Sequence, residues 1–196
     1  FSSVLVGRSV ATIAELCFVS QWALVLKQGS KLADCKPAEK LSIFIVPMIF
    51  IAEIFSWYGV ITTHYLGNTV EESIWAATYS LIAVSLISLY PKFKGAVRFA
   101  IGAAIIGCIL YVTFMVMVDV PMYFGRWQMD LKTGKNIFAF IEGLKDLNTR
   151  WVVTHNIEEW RTEIPWMSLY FSVAVWTSIA LCYVPLKKEQ LLRHLK

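Results

Sequence analysis

The stretch EIFSWYGVITTHYLGNTVEESIW, residues 53–75, decides the fold that the sequence predicts. It continues a long apolar helix and carries Glu53, Trp57 and His64 at spacings of four and seven residues, which place all three on one helix face. A Leu-Gly-Asn turn pattern follows, and a second apolar helix starts behind two consecutive glutamates. The stretch therefore predicts two antiparallel helices that keep ionisable side chains in apolar surroundings.

The composition is that of a membrane protein. Hydrophobic residues make up 57% of the 196 residues, charged residues only 16%, and the mean hydropathy is +0.58. Soluble domains carry about 25% charged residues. The apolar residues fall into five segments, each long enough to cross a hydrocarbon core that needs roughly 20 apolar residues. We predict one membrane domain with spans at about residues 4–26, 41–65, 73–90, 96–118 and 164–184.

The segment between the fourth and fifth spans, residues 119–163, is the one sizeable polar region of the sequence. Apolar residues recur within it at helical spacing, with charged residues between them: Ile137, Phe138, Ile141, Leu144, Leu147 and Trp151. This pattern is typical of an amphipathic helix lying on a membrane surface. The predicted fold is an all-α integral membrane protein, a five-helix transmembrane bundle with an amphipathic surface helix between the last two spans.

Basic residues predict the orientation. Eleven of the 18 Lys and Arg residues lie in the first loop, in the loop around Lys92 and in the C-terminal tail, which five spans place on one side of the membrane. The positive-inside rule then puts the C-terminus in the cytoplasm, with the N-terminus and residues 119–163 outside. We expect a bacterial inner membrane or its equivalent. Because the basic residues do not form one patch, no nucleic-acid partner is expected.

Two predicted helices present polar faces inside the membrane. Arg8, Thr12 and Glu15 share one face of the first span, and Glu53 and Trp57 share one face of the second. Ionisable groups at such depth are costly unless they face protein or water. We predict a polar cavity between the first three helices that opens outward. The expected ligand-binding residues are Arg8, Glu15, Trp57, Glu71 and Glu72.

Structural roles remain open for the same residues. Arg8 and Glu15 could tether packed helices, and Glu71 and Glu72 could complement the positive end of a helix dipole. Small residues predict where helices pack closely. In the second span they are Ala52, Ser56, Gly59 and Thr63, and in the fourth span Ala96, Ala100, Ala103 or Ala104, and Gly107.

No catalytic motif selects one function. The first expectation is a membrane component that binds a lipid-like ligand or a partner membrane subunit. An intramembrane enzyme acting on a lipid or quinone is the first alternative, with Glu53 and His64 as catalytic acid and base. A metal could assist it, held by His64, Glu72 and His155. A proton- or ion-coupled transport subunit is the second alternative. The sequence identifies no cofactor, and the expected partners are membrane lipids and other membrane subunits.

Overall fold

The computed structural model of this protein describes residues 3–150, 157–161 and 163–184. These residues are helical, joined by short connections, and form no strands. The helices are α1 Val4–Leu32, α2 Lys36–Thr62, α3 Tyr65–Leu89, α4 Gly95–Phe114, α5 Val120–Thr133, α6 Phe140–Thr149, α7 Ile157–Trp160 and α8 Glu163–Cys182.

Four helices in the described part of the chain are long and apolar enough to cross a membrane. They are Val4–Leu32, Lys36–Thr62, Tyr65–Lys92 and Gly95–Thr133. The core of the bundle lies between α1, α2, α3 and α4, where Val19, Ile45, Ile49 and Ile82 are fully covered. The membrane class that the composition predicts is supported by these four helices.

The turn between α2 and α3 lies earlier than the sequence predicts. Thr63 ends α2 in the left-handed region with a φ of 59°, His64 is the N-cap of α3, and the helix then runs from Tyr65. The predicted turn at residues 66–68 and the predicted helix start near residue 73 were therefore wrong. Glu71 and Glu72 lie beyond the first turn of α3, where the helix dipole no longer favours a carboxylate.

Gly67 serves close helix packing instead of a turn. A Cβ atom added to Gly67 would lie 2.7 Å from both the Gly59 nitrogen and the Phe55 carbonyl oxygen of α2. Gly59 is equally crowded, since an added Cβ would meet the Asn68 side-chain oxygen at 2.8 Å. The small residues Ala52 and Ser56 are fully buried on the same helix. The predicted small face of the second span is thus confirmed as a packing face, directed at α3.

The helix that contains the predicted fourth span continues past residue 118. Residues Met115–Asp119 form a π-helical turn that joins α4 to α5, so one helix continues from Gly95 to Thr133. The helix therefore does not end before Pro121, although the predicted span 96–118 stays a prediction. The wider π turn leaves room for the ring of Pro121, which would clash with a regular helix in front of it. The predicted polar segment 119–163 therefore begins inside this helix.

Most of the small residues predicted to form a packing face on α4 do not pack within the described bundle. Ala96, Ala100, Ala103 and Gly107 are all exposed, and a Cβ atom added to Gly107 would meet nothing within 4 Å. Of the alternatives Ala103 and Ala104, Ala104 is the one that is partly buried against the core.

Helix α6 packs across the end of the bundle at which α1 begins, α2 ends and α3 begins; we call this end the α6 end. Gly143 and Leu147 are its buried residues. The Phe138 N–H donates to the Thr62 carbonyl oxygen at 3.1 Å, and the Val4 N–H donates to the Arg150 carbonyl oxygen at 3.3 Å. The segment around α6 therefore contacts both α1 and α2.

Helix α8 contacts α1 through a polar group. The Ser178 hydroxyl donates to the Gln21 side-chain oxygen at 2.7 Å, and the Gln21 amide lies 3.3 Å from the Cys182 sulfur. The apolar part of α8 within the described residues, Phe171–Cys182, is shorter than a full span. The fifth span consequently stays a prediction.

We expect Gly67→Ala to destabilise the protein, because its methyl group would collide with the backbone of α2. Overpacking of this kind costs about 1–3 kcal/mol. Reversible unfolding in mixed detergent micelles measures the loss. Gly107→Ala is the matched control, since its methyl group enters open space and should leave stability unchanged or slightly higher. Equal stability of both variants would contradict the close approach of α2 and α3.

Candidate functional site

The ionisable side chains of α1, α2 and α3 converge near the α6 end. Arg8 lies about 6 Å along α1 from its first residue, Glu71 about 9 Å along α3, and Glu53 about 14 Å before the last residue of α2. These depths fall within one half of a hydrocarbon core that is ~30 Å thick. The site is therefore built from the middle and end turns of three candidate membrane helices.

Arg8 is the centre of the group. Its Nη2 atom lies 2.8 Å from Glu15 Oε2 and 2.5 Å from Glu53 Oε2, so one guanidinium nitrogen bridges α1 and α2. Its Nη1 atom lies 3.5 Å from Glu71 Oε1 of α3. We call Arg8, Glu15, Glu53 and Glu71 the arginine cluster. Three helices are thus held by a single positive charge.

Two neutral side chains orient Glu53. The Thr12 hydroxyl donates to Glu53 Oε2 at 2.5 Å, and the Trp57 indole N–H donates to the same hydroxyl oxygen at 3.0 Å. An indole N–H can only donate, so it takes an acceptor position of the hydroxyl and directs the hydroxyl proton towards Glu53. Trp57 therefore acts on the carboxylate through Thr12.

The carboxyl groups also contact one another and an amide. The Asn68 side-chain N–H donates to Glu71 Oε2 at 3.4 Å. Glu15 and Glu53 both contact Arg8 Nη2, and a carboxylate oxygen of one lies within 4.8 Å of a carboxylate oxygen of the other. A hydrogen bond between two carboxyl groups needs a proton on one of them, because two carboxylates can only accept. This pair can therefore hold a shared proton.

The cluster is unevenly covered. The exposed fraction is 4% for the Glu53 side chain and 5% for Glu71, but 16% for Arg8 and 23% for Glu15. Glu53 Oε1 and Arg8 Nε are buried without a hydrogen-bond partner among the described residues. Glu53 and Glu71 are therefore the covered members of the cluster, and Arg8 and Glu15 are the more exposed ones.

The charges within the cluster do not balance. One guanidinium neutralises one of the three carboxylates, so two negative charges remain if every group is ionised. An uncompensated charge inside a protein or a membrane is strongly unfavourable. The cluster therefore requires further positive charge, as bound protons or as a cation.

A metal cation has a possible ligand set here. One carboxylate oxygen from each of Glu15, Glu53 and Glu71 lies within 4.8 Å of the other two. Among the described residues, these three side chains form the one group that could hold a metal ion. Such an all-oxygen set suits hard cations such as Mg²⁺, Ca²⁺ or Mn²⁺ more than zinc or iron. Arg8 occupies the same carboxylates and would compete with any metal.

Four of the five predicted ligand-binding residues lie at this site, and Glu72 does not. Arg8 contacts both Glu15 and Glu71. Trp57 is connected to Glu53 through the Thr12 hydroxyl. The Glu72 side chain makes no hydrogen bond or ion pair with a described residue, but it interacts electrostatically with Glu71, Asp119, Glu15 and Arg8. Adjacent residues on a helix point about 100° apart, so Glu72 does not share the direct contact of Glu71 with Arg8.

The structure does not pair the predicted catalytic residues. No hydrogen bond joins His64 to Glu53, which is engaged by Arg8 and Thr12. His64 instead lies with its ring edge to face against Tyr58, at 6.0 Å between centroids, and its Nδ1 atom is buried without a partner in the described part of the chain. Of the predicted metal ligands, His64 and Glu72 are outside the group of three carboxylates, and His155 lies outside the described residues.

Sequence reasoning missed Asn68 and underrated Asp119. Asn68 was assigned to a turn, although its position three residues before Glu71 would have placed it beside that glutamate on a helix. Asp119 is the first residue of the predicted polar segment 119–163, but it is buried in the π turn. Its burial followed from the continuation of the helix, which no local sequence pattern indicated.

The chain matches no protein-family model, no curated protein and no solved structure. The site must therefore be interpreted from its own geometry.

Arg8→Gln should strongly destabilise the protein, because it leaves three carboxyl groups, two of them buried, without their shared cation. Breaking a buried pair by removing one partner costs about 3–5 kcal/mol. Reversible unfolding in mixed micelles measures the loss, and adding Glu53→Gln to Arg8→Gln should restore part of it. Lys27→Gln is the control on the exposed surface of the same helix. An effect no larger than that of the control would show that Arg8 does not hold α1, α2 and α3 together.

Thr12→Val and Trp57→Phe should act as one unit, since Trp57 reaches Glu53 only through the Thr12 hydroxyl. In a double-mutant cycle we expect the pair to be non-additive by about 0.5–3 kcal/mol. Trp176→Phe, an exposed tryptophan of α8, should be additive with Thr12→Val. Additive losses for both pairs would refute the relay.

Proposed function

We propose that this protein is a proton-coupled membrane component, in which the arginine cluster binds and releases protons within the bilayer. The observation that carries this proposal is the convergence of three carboxyl groups from three helices on one guanidinium. Of the functions that the sequence allows, this geometry favours the proton- or ion-coupled one. Carboxyl groups held inside membrane proteins are typical elements of proton pathways.

The protons follow from the charge balance. The cluster needs about two positive charges beyond Arg8 to become neutral, and protons are the smallest carriers of that charge. The proximity of Glu15 and Glu53, which both lie against Arg8 Nη2, supports a shared proton at this pair. Glu15 is the more exposed of the two, so it is the member that exchanges protons with water, and Glu53 is the inner member.

Arg8 sets how many protons the cluster holds. Its positive charge lets one carboxylate stay ionised in a low dielectric, and this carboxylate can accept a proton from its neighbour. A proton added to the cluster weakens one contact of Arg8 and so loosens one helix from the other two. Proton binding would in this way be linked to the packing of α1, α2 and α3, which is the requirement for coupling to another process.

Two other functions remain as alternatives. Binding of a lipid-like ligand or a partner membrane subunit is consistent with α4, whose exposed face includes Phe99, Ile106 and Leu110. A metal-assisted intramembrane enzyme would use Glu15, Glu53 and Glu71 as ligands, since no contact supports His64 as a partner of Glu53. Each alternative makes a different prediction for the metal content of the purified protein.

The finer architecture belongs to the same proposal. We place α8 in the membrane as a fifth span beside α1, supported by the contact of Gln21 with Ser178. We place α6 at the outer membrane surface, with the N-terminus outside and the C-terminus in the cytoplasm, supported by the basic loops at the opposite end of the bundle. The arginine cluster would then lie in the outer half of the membrane.

The test is infrared difference spectroscopy of the purified protein in lipid, with pH as the variable. We expect a protonated carboxyl band at neutral pH that shifts in heavy water and is lost or halved in Glu15→Gln. Glu39→Gln is the matched control, because Glu39 is paired with Lys36 at the opposite end of α2. A spectrum in which Glu15→Gln and Glu39→Gln both leave the band unchanged would overturn the proposal.

Elemental analysis of the same samples separates the metal alternative. A metal present at one equivalent in the wild type and lost in Glu53→Gln would show that a cation, and not protons, balances the cluster. Proton entry into vesicles containing the wild type, beyond that of protein-free vesicles and reduced in Glu53→Gln, would extend the proposal from proton binding to proton transfer.

A further inference from the structure

Helix α6 lies over the α1–α2 pair at the level just beyond the arginine cluster. Val4, which contacts the α6 segment, is one turn before Arg8, and Ile61 and Thr62 are about two turns after Glu53. The α6 segment therefore bridges the two helices that Arg8 joins. A solute entering between α1 and α2 from the α6 end must pass it.

The α6 segment completes the hydrogen bonds of the end of α2. A helix leaves its last carbonyl groups without partners inside the helix. Arg150 Nη1 donates to the Val60 carbonyl oxygen at 2.9 Å, and the Phe138 N–H donates to that of Thr62. Asp146 holds the Arg150 guanidinium through its Nε atom at 2.5 Å. These bonds replace water at the end of α2 for as long as α6 remains in place.

One glycine lets α6 approach closely enough to do this. A Cβ atom added to Gly143 would lie 2.2 Å from the Ile61 carbonyl oxygen and 2.9 Å from its carbon. Backbone atoms of a buried helix cannot move aside for a methyl group at such distances. Gly143 is therefore required for the closed position of α6.

Few contacts with the other described residues hold α6 in place. Within this helix only Gly143 and Leu147 are buried, whereas Phe140 and Ile141 expose 53% and 71% of their surface. It is joined to α5 through Gly134, which has a φ of 66°. Segments with few buried contacts open at lower free energy than the core does. α6 can thus separate from α2 while the rest of the bundle stays folded.

We propose that α6 is a lid that controls access to the arginine cluster, clamped shut by Gly143 against Ile61 and by Arg150 on Val60. This inference rests on the proposed function, since it names how the proton-binding site is regulated. The lid closes the route between α1 and α2, and its opening exposes the backbone at the end of α2 and the covered groups below it. Arg150 is a positioning residue here, because it acts on α6 and α2 and not on the cluster itself.

A thiol-labelling experiment tests the lid without relying on proton binding. Ser56→Cys places a fully buried reporter one turn after Glu53, and Ser85→Cys places one deep in α3 away from the α6 end. Both are made with the four native cysteines replaced by alanine. The rate of labelling by a small charged thiol reagent is measured in detergent micelles.

We expect Gly143→Ala and Arg150→Met each to raise the labelling rate at position 56 about tenfold. A change of this size in the local opening equilibrium corresponds to the free energy of one charge-assisted hydrogen bond. The rate at position 85 should not change. Gly125→Ala, which adds a methyl group in open space, and Arg98→Met, at the opposite end of the bundle, are the matched controls.

Unchanged labelling at position 56 in both lid variants would overturn the proposal. Equal acceleration at positions 56 and 85 would also overturn it, because that result means general loosening of the bundle. If Gly143→Ala does not fold, Arg150→Met alone decides between these outcomes. Faster labelling together with an infrared spectrum that lacks a protonated carboxyl band would keep the lid and reject the proton-binding function.

Discussion

The bundle depends on the one positive charge that α1, α2 and α3 share, the guanidinium of Arg8. A largely buried guanidinium is tolerated only where protein groups replace its water. Apart from Glu15 of α1 itself, those groups come from two other helices, so α1 cannot move away from α2 and α3 without leaving this charge partly uncompensated. In lipid, where apolar surfaces gain little from contacting each other, such a polar centre fixes which helices are neighbours and in which register.

A second constraint acts on the backbone. α2 and α3 approach each other closely because Gly59 and Gly67 lack side chains at their crossing. This crossing lies between the turn at Thr63 and the carboxyl groups of Glu53 and Glu71. The glycines therefore bring α2 and α3 close together between the turn and the cluster. This backbone packing places Glu53 and Glu71 near enough to each other for Arg8 to contact both.

The sequence predicts part of this arrangement well. Spacing along α1 and α2 correctly placed Arg8, Thr12 and Glu15 on one face and Glu53 and Trp57 on another, because helical periodicity is a local property. Hydropathy also identified the membrane class. What spacing could not provide was the contact between faces of different helices, which depends on how the helices are rotated against each other.

Two errors had the same cause, a local pattern with two physical meanings. Gly67 followed by Asn68 is typical of a turn, yet here the glycine serves a close helix crossing and the asparagine binds Glu71. Pro121 usually ends a helix, yet a π turn carries the helix past it. The placement of His64 failed for a different reason, since its helical spacing from Trp57 loses meaning once α2 ends at Thr62.

The π turn in the long helix has an evolutionary consequence. Such a turn is one residue wider than a regular one, so it is equivalent to a single inserted residue. Because the wider turn absorbs the extra residue, deleting one residue from Met115–Asp119 would restore a regular helix and leave the orientation of α5 largely unchanged. A deletion in the regular part of α4 would instead rotate everything after it by about 100° and turn Tyr123 away from Tyr65 of α3. Relatives of this chain should therefore tolerate the loss of one residue within this segment better than in the helix before it.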